Sequence, residues 1–173
     1  MVSKVLLVLP CNPCVRLGDY SLCSNWRVVL STVGDLVEAG AVDMAAIDSC
    51  KPGIVPWGEE GAYRHCDIRP TTDLYYRREP WRREILLRSV VEDLKGLLTS
   101  YRSIVYYVNV KAYREALDKA AHIIGSPPVI SAGPPRVSLP SYRSRRNRER
   151  LREILLSLAS PSATTKWEAE LGG

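Results

Sequence analysis

The chain has no apolar run approaching the roughly 18 residues that a membrane-crossing helix needs. Its apolar opening stops after Val5 to Pro10. The next stretch is polar and proline-bearing, without the apolar h-region or small-residue cleavage site of a signal peptide. No membrane partner is expected, and the expected location is the cytoplasm. A disulfide framework is argued against by a count of five cysteines, an odd number with no secretory signal beside it. No internal repeat is present, which sets aside solenoids and propellers.

The 173 residues, 46% of them hydrophobic, suffice for one core without staples. The expectation is a single α/β domain over residues 1–160, with 161–173 a flexible C-terminal tail. The net charge of +5 is uneven. Between Arg143 and Glu153, six arginines (Arg143, Arg145, Arg146, Arg148, Arg150, Arg152) face only Glu149 and Glu153. Such a cluster suits a polyanion such as RNA, and a solvated arginine face is the competing explanation.

Val5 to Leu9, closed by Pro10, reads as a strand buried on both faces. Ser24 or Asn25 can cap a helix in which Trp26, Val29, Leu30, Val33, Leu36 and Val37 recur at helical spacing up to Gly40. Val42 to Ile47 is a second strand. Pro80 opens a long helix with an apolar stripe of Trp81, Ile85, Leu87, Val90, Val91, Leu94, Leu97 and Leu98. Ile104 to Val110 is a central strand, and a helix carrying Tyr113, Ala116, Leu117, Ala120 and Ile124 stops at Gly125. Val129-Ile130 is a short fourth strand. Leu151, Ile154, Leu155 and Leu158 form the buried edge of a last helix. Strands alternating with helices predict a three-layer α/β fold, a mostly parallel central sheet with helices on both faces. Asp48 to Arg78 has no convincing pattern and reads as an ordered, functional loop.

Ligands of open parallel sheets bind beyond the carboxyl ends of the strands. That rule points to residues 10–24, 48–78, 109–111 and 131–136. The first holds "LLVLPCNPCVRLGDYSLCSNW", Leu6 to Trp26, in which Cys11 and Cys14 have a Cys-x2-Cys spacing. Zinc, with Cys23, Cys50, Cys66 or His65 as further ligands, lacks the usual second close pair. Redox use lacks a helix start beside the pair. Catalysis by Cys11 and plain packing stay open, and neither a metal nor a cofactor is expected. In the long loop, Asp48, Glu59, Glu60, Asp67 and Asp73 are candidate bases or solvated acids. His122 falls off its helix's apolar stripe and reads as a surface residue. Tyr75, Tyr76 and Trp81 lie among Arg77, Arg78, Arg82 and Arg83, the mixture that stacks bases and holds phosphates; half of these aromatics are expected to face the core.

A strand ending in Pro-Cys, then a Tyr-Ser pair and a helix, resembles the core domain of archaeosine synthase, a family that modifies a deazaguanine base in tRNA. "GIVPWGEEGAYRHCDI" and "TTDLYYRREPW" resemble that family's Gly-x-Val-Pro, acidic, Tyr and Thr-Gly-x-Trp-type segments, and "AYREAL" completes the likeness over roughly Lys4 to Ala121. Where the family carries a Lys-Pro-Tyr run, this chain has Arg16-Leu17-Gly18-Asp19-Tyr20-Ser21, and Asn25-Trp26 stand where a His is found. Arginine differs from lysine in hydrogen-bond geometry and does not deprotonate.

The resemblance implies addition of lysine's amine to the nitrile carbon of a 7-deazaguanine base in tRNA. Cys11 either adds first, as a thioimidate the amine displaces, or is structural. Asp19 or Asp67 would hold or deprotonate the amine, Tyr20 and Ser21 would contact the base, and Arg16 and Asn25 would complete the substrate contacts. Arg77, Arg78, Arg82, Arg145, Arg146 and Arg148 are the candidate RNA-binding set. The family's transglycosylase-like and RNA-binding domains are not in this chain, so a partner subunit of that kind is expected. The competing reading is a non-catalytic RNA-binding subunit of a tRNA-modifying complex.

Overall fold

Every residue of the first strand is buried, because it lies at the centre of a sheet covered on both faces. The computed structural model describes residues 4–10, 24–49, 52–56, 76–125, 129–133 and 139–159. Its elements are β1 (Val5–Pro10), α1 (Ser24–Glu38), β2 (Val42–Asp48), β3 (Gly53–Pro56), α2 (Trp81–Leu97), β4 (Ser103–Tyr106), α3 (Lys111–Ile124), β5 (Val129–Ser131), α4 (Leu139–Arg143) and α5 (Arg145–Ala159). The strands form one sheet in the order β3-β2-β1-β4-β5. β1 pairs in parallel with both β2 and β4, Val5 standing opposite Val42 on one side and Ser103 on the other. β5 continues the parallel run, and β3 is antiparallel to β2 at the edge. The fold is the expected mostly parallel α/β architecture.

Alternation along β1 divides the core. Val5, Leu7 and Leu9 pack with Val29, Val33, Leu151 and Leu155 of α1 and α5. Leu6 and Val8 turn the other way, onto Leu86, Val90, Leu94, Ala116 and Leu117 of α2 and α3. A strand between two helical layers has no polar face to spare, which is why β1 reads as an unbroken apolar run.

The chain contains no phenylalanine, so each large aromatic in this core brings a polar atom that needs a partner. The Tyr106 hydroxyl donates to Asp118 at 2.5 Å, and Tyr107 donates to the Tyr142 carbonyl at 2.5 Å. Tyr107 and Tyr142 also stack with ring centroids 4.5 Å apart. Burial pushes the Tyr107 hydroxyl up to about 12, the nearby Arg148 guanidinium pulling the other way. The Tyr142 hydroxyl is buried with no hydrogen-bond partner among the described residues, and burial raises its pKa strongly.

Three departures from the sequence reading have physical causes. Residues 48–78 hold a strand, β3, and a helical turn at 76–78 rather than loop throughout. β3 is hidden in the sequence because glycine and proline end it. Gly53 has a positive φ of 129°, and a Cβ there would lie 2.1 Å from the Asp93 carboxylate, which accepts the Ile54 N–H at 2.8 Å. β4 ends at Tyr106 although Tyr107 and Val108 are fully buried, since apolar sequence reports burial and not ladder pairing. In α2 the buried residues are Leu86, Val90 and Leu94, while Trp81 and Ile85 are exposed. Nine positions separate Trp81 from Val90; at about 3.6 residues per turn that is two and a half turns, the opposite side of the helix.

Other expectations hold. Gly125 caps α3 in the left-handed region, φ 64°, where a residue without a Cβ pays no steric penalty. His122 is exposed. Among the described residues no helix is long and apolar enough to cross a membrane.

Candidate functional site

The strand order creates a switch point. From β1 the chain crosses by α1 on one face to β2, and later returns by α2 on the opposite face to β4, on β1's other side. The crevice between the carboxyl ends of β1 and β4 is where such folds bind ligands. β1 reaches it at Pro10, and β4 reaches it at Tyr106.

The helices α1 and α3 succeed the parallel strands β1 and β4 and begin at this same carboxyl edge, while α2, whose preceding strand β3 is antiparallel, and α5 are placed there by their contacts. The N-terminal turns of α1, α2, α3 and α5 therefore sit on one side of the molecule, and their dipoles make that side electropositive. Contacts fix the placement. Tyr113, in the first turn of α3, reaches Ser49 just past β2, and Tyr76, five residues before α2, reaches the same serine. α5 runs alongside α1, Arg148 meeting Val28 and Thr32, and Arg152 meeting Thr32 and Asp35.

The floor of the edge is a buried polar network. Ser49, 5% exposed, lies 2.7 Å from the Tyr76 hydroxyl and 2.7 Å from the Tyr113 hydroxyl. A serine hydroxyl has one proton and two lone pairs, so it donates to at most one of the tyrosines and accepts from at least one. The two rings meet edge to face at 6.4 Å. The residue before this serine, Asp48, is 3% exposed and is the one buried acid among the described residues. Past the end of β4, the Asn109 side-chain carbonyl oxygen is buried and has no hydrogen-bond partner among the described residues. A buried acceptor without a donor costs about 1–3 kcal/mol. The carboxyl edge thus rests on buried hydroxyls, a buried acid and a buried amide oxygen.

Cys11, Cys14, Cys23, Cys50, Cys66, His65, Arg16, Asp19, Tyr20, Ser21, Glu59, Glu60, Asp67, Asp73 and Tyr75 lie outside the described residues, as does the 161–173 tail. Asn25 is the second residue of α1, and its side chain is likewise outside the described residues. The arginines are visible. Arg77 and Arg78 are exposed on the turn before α2; Arg82 is half-buried, ion-paired with Glu79 and stacked on Trp81. On the opposite face Arg145 and Arg146 are exposed at the start of α5, Arg145 pairing with Glu149 at 2.7 Å. Arg148 is spent differently. Its guanidinium donates to the Val28 carbonyl at 3.3 Å and the Thr32 hydroxyl at 3.0 Å, clamping α5 to α1. The two basic clusters thus flank the carboxyl edge on either face of the sheet.

Of the aromatics noted beside the arginines, Tyr76 is core and Trp81 is solvent-facing. Sequence reasoning includes Ser49 and Asn109 in the strand-end regions without singling them out, and misses Tyr113 as a site residue. Ser49 comes directly after an acid at a strand end, and Asn109 interrupts an apolar run, each a legible sign of a polar group that the fold keeps at the edge. The chain matches no protein-family model, no curated protein and no solved structure.

Proposed function

We propose that this chain is a tRNA-modification protein that adds lysine to the nitrile of a 7-deazaguanine base in tRNA, in the manner of the archaeosine synthase core. One observation carries the reading: of the residues that bear the resemblance, Cys11 to Asn25 come directly after β1, whose carboxyl end borders the switch point, and Gly53 to Trp81 come after its neighbour β2. The two basic clusters on either side of that edge support a polyanionic substrate.

In the proposed reaction the amine nitrogen forms a bond to the nitrile carbon. The displaced π pair goes to the nitrile nitrogen, which takes up the proton the amine loses, and nothing leaves. Asp19 or Asp67 carries that proton, Tyr20, Ser21, Arg16 and Asn25 hold the substrates, and the arginines meet phosphates. If Cys11 adds first, its sulfur leaves when the amine attacks the thioimidate. A tRNA substrate puts the protein in the cytoplasm, with a transglycosylase-like or RNA-binding subunit as its partner.

Mass analysis of nucleosides from nitrile-bearing tRNA, after incubation with the protein and lysine, tests this. A mass gain of one lysine is expected, and Cys11→Ser abolishes it on the covalent route while leaving it largely intact on the direct one. Retention of the tRNA without any gain favours the second reading, a non-catalytic RNA-binding subunit, for which the exposed arginines before α2 and at the start of α5 are the supporting observation.

A further inference from the structure

We infer that the solvent-facing side of the first turns of α2 is a stacking platform for an unpaired nucleotide, with Trp81 as its surface; this rests on the RNA reading above. Trp81 is 55% exposed and Ile85, one turn further along the same side, is 43% exposed. A single exposed apolar residue needs no explanation, but here the ring is also held in place. The Arg82 guanidinium lies 4.5 Å over the ring, and Arg82 is itself anchored by the Glu79 carboxylate. A ring fixed in advance loses little freedom when a base stacks on it.

The charges around the ring fit phosphate. Arg77, Arg78, Arg83 and Arg88 are all exposed, and with Arg82 they outnumber the local acids Glu79 and Glu84. Arg83 also stands 4.0 Å from Glu115, which Lys111 approaches at 3.9 Å, so the neighbouring turn of α3 adds a cation as well as an acid. A membrane surface fits less well. An interfacial helix needs an apolar stripe along its length, and after Ile85 this side of α2 continues with Arg88, Glu92 and Lys95. A sandwich of guanidinium, indole and base, with arginines reaching the flanking phosphates, is the arrangement single-stranded RNA takes on proteins. Because α2 starts at the carboxyl edge, the stacked nucleotide lies on the same side of the molecule as the switch point.

The test uses the full chain, a tRNA transcript and a short oligouridylate, with affinity read by fluorescence anisotropy of the labelled RNA. Trp81→Ala is expected to weaken both complexes by about tenfold. Trp81→Leu, which keeps apolar bulk without a π face, should fall with it, and Trp81→Phe should recover most of the affinity. Arg78→Ala should weaken binding and flatten the dependence on salt by roughly one counterion. Unchanged thermal melting of the variants keeps the comparison one of binding. Wild-type binding that Trp81→Ala and Trp81→Leu leave intact overturns the platform alone. Failure of the wild-type protein to bind either RNA at low salt overturns the platform and the RNA reading together.

Discussion

The two arginine-bearing helices look alike as sequence and differ in what their cations do. In α5, Arg148 and Arg152 are turned inward to α1. Arg152 holds the Asp35 carboxylate with both guanidinium nitrogens at 2.7 and 2.8 Å. Before and within the start of α2, Arg77, Arg78 and Arg83 are exposed, Arg83 standing 4.0 Å from Glu115, and Arg82 is held against an exposed indole. A dense run of positive charge can therefore divide its cations, as α5 does between the inward Arg148 and Arg152 and the exposed Arg145 and Arg146, or leave most of them open, as the run at α2 does. Charge density does not distinguish them; the residue type opposite each guanidinium does.

The sharpest way to break the contrast between faces is through their tyrosine pairs. Tyr113→Phe removes a hydroxyl that Ser49 uses, leaving that buried serine short of a partner, and is expected to cost about 1–2 kcal/mol in denaturant unfolding. Tyr142→Phe removes a hydroxyl without a partner among the described residues and should be neutral or stabilising. Equal losses from both would erase the distinction between a satisfied network and a merely packed ring.

Next in size is the clamp. Arg148→Ala takes donors from the Val28 carbonyl and the Thr32 hydroxyl and is expected to cost about 1 kcal/mol. Arg78→Ala, on the open cluster, should leave stability within about 0.5 kcal/mol of the parent. If both variants melt alike, α5's arginines are as idle as surface charges commonly are.

The smallest effect concerns Asp35. Hydrogen bonds from Arg152 hold its carboxyl below the ordinary carboxylate range. A lowered folded pKa contributes stability above the unfolded value and loses it as pH falls through the folded one. The loss should thus be confined below about pH 4, and small because the Asp35 carboxylate is exposed to solvent. Asp35→Asn should flatten the acid limb of the melting curve; an unchanged limb would leave the pair without thermodynamic weight.

Most of the architecture is readable because each buried element carries its own period. β1 is apolar at every position, as a strand between two helical layers must be, and α3 repeats alanine, leucine and tyrosine at helical spacing before a terminal glycine. β3 is unreadable for the opposite reason: four residues with glycine first and proline last resemble a turn, and only pairing with β2 makes them a strand. Trp81 groups with the buried stripe in the sequence because apolar residues occupy so much of α2's circumference; counting turns from Val90 separates it. The candidate site is located by strand ends but not composed by them. Ser49 and Tyr113 are 64 positions apart and meet only through the fold, and no local pattern announces a hydroxyl pair of that kind.

β3 carries one more consequence. In an antiparallel pair, alternate residues turn their amides outward, and Ile54 is one of these. Its hydrogen is taken by Asp93, and the positions two residues to either side, Pro52 and Pro56, have no amide hydrogen at all. To a second copy arriving sideways this margin of the sheet offers carbonyls and no hydrogens, so acceptor would face acceptor and the encounter would fail. One carboxylate and two prolines thus act as a selvedge, finishing the fabric where crowding would otherwise let it be extended into a fibre.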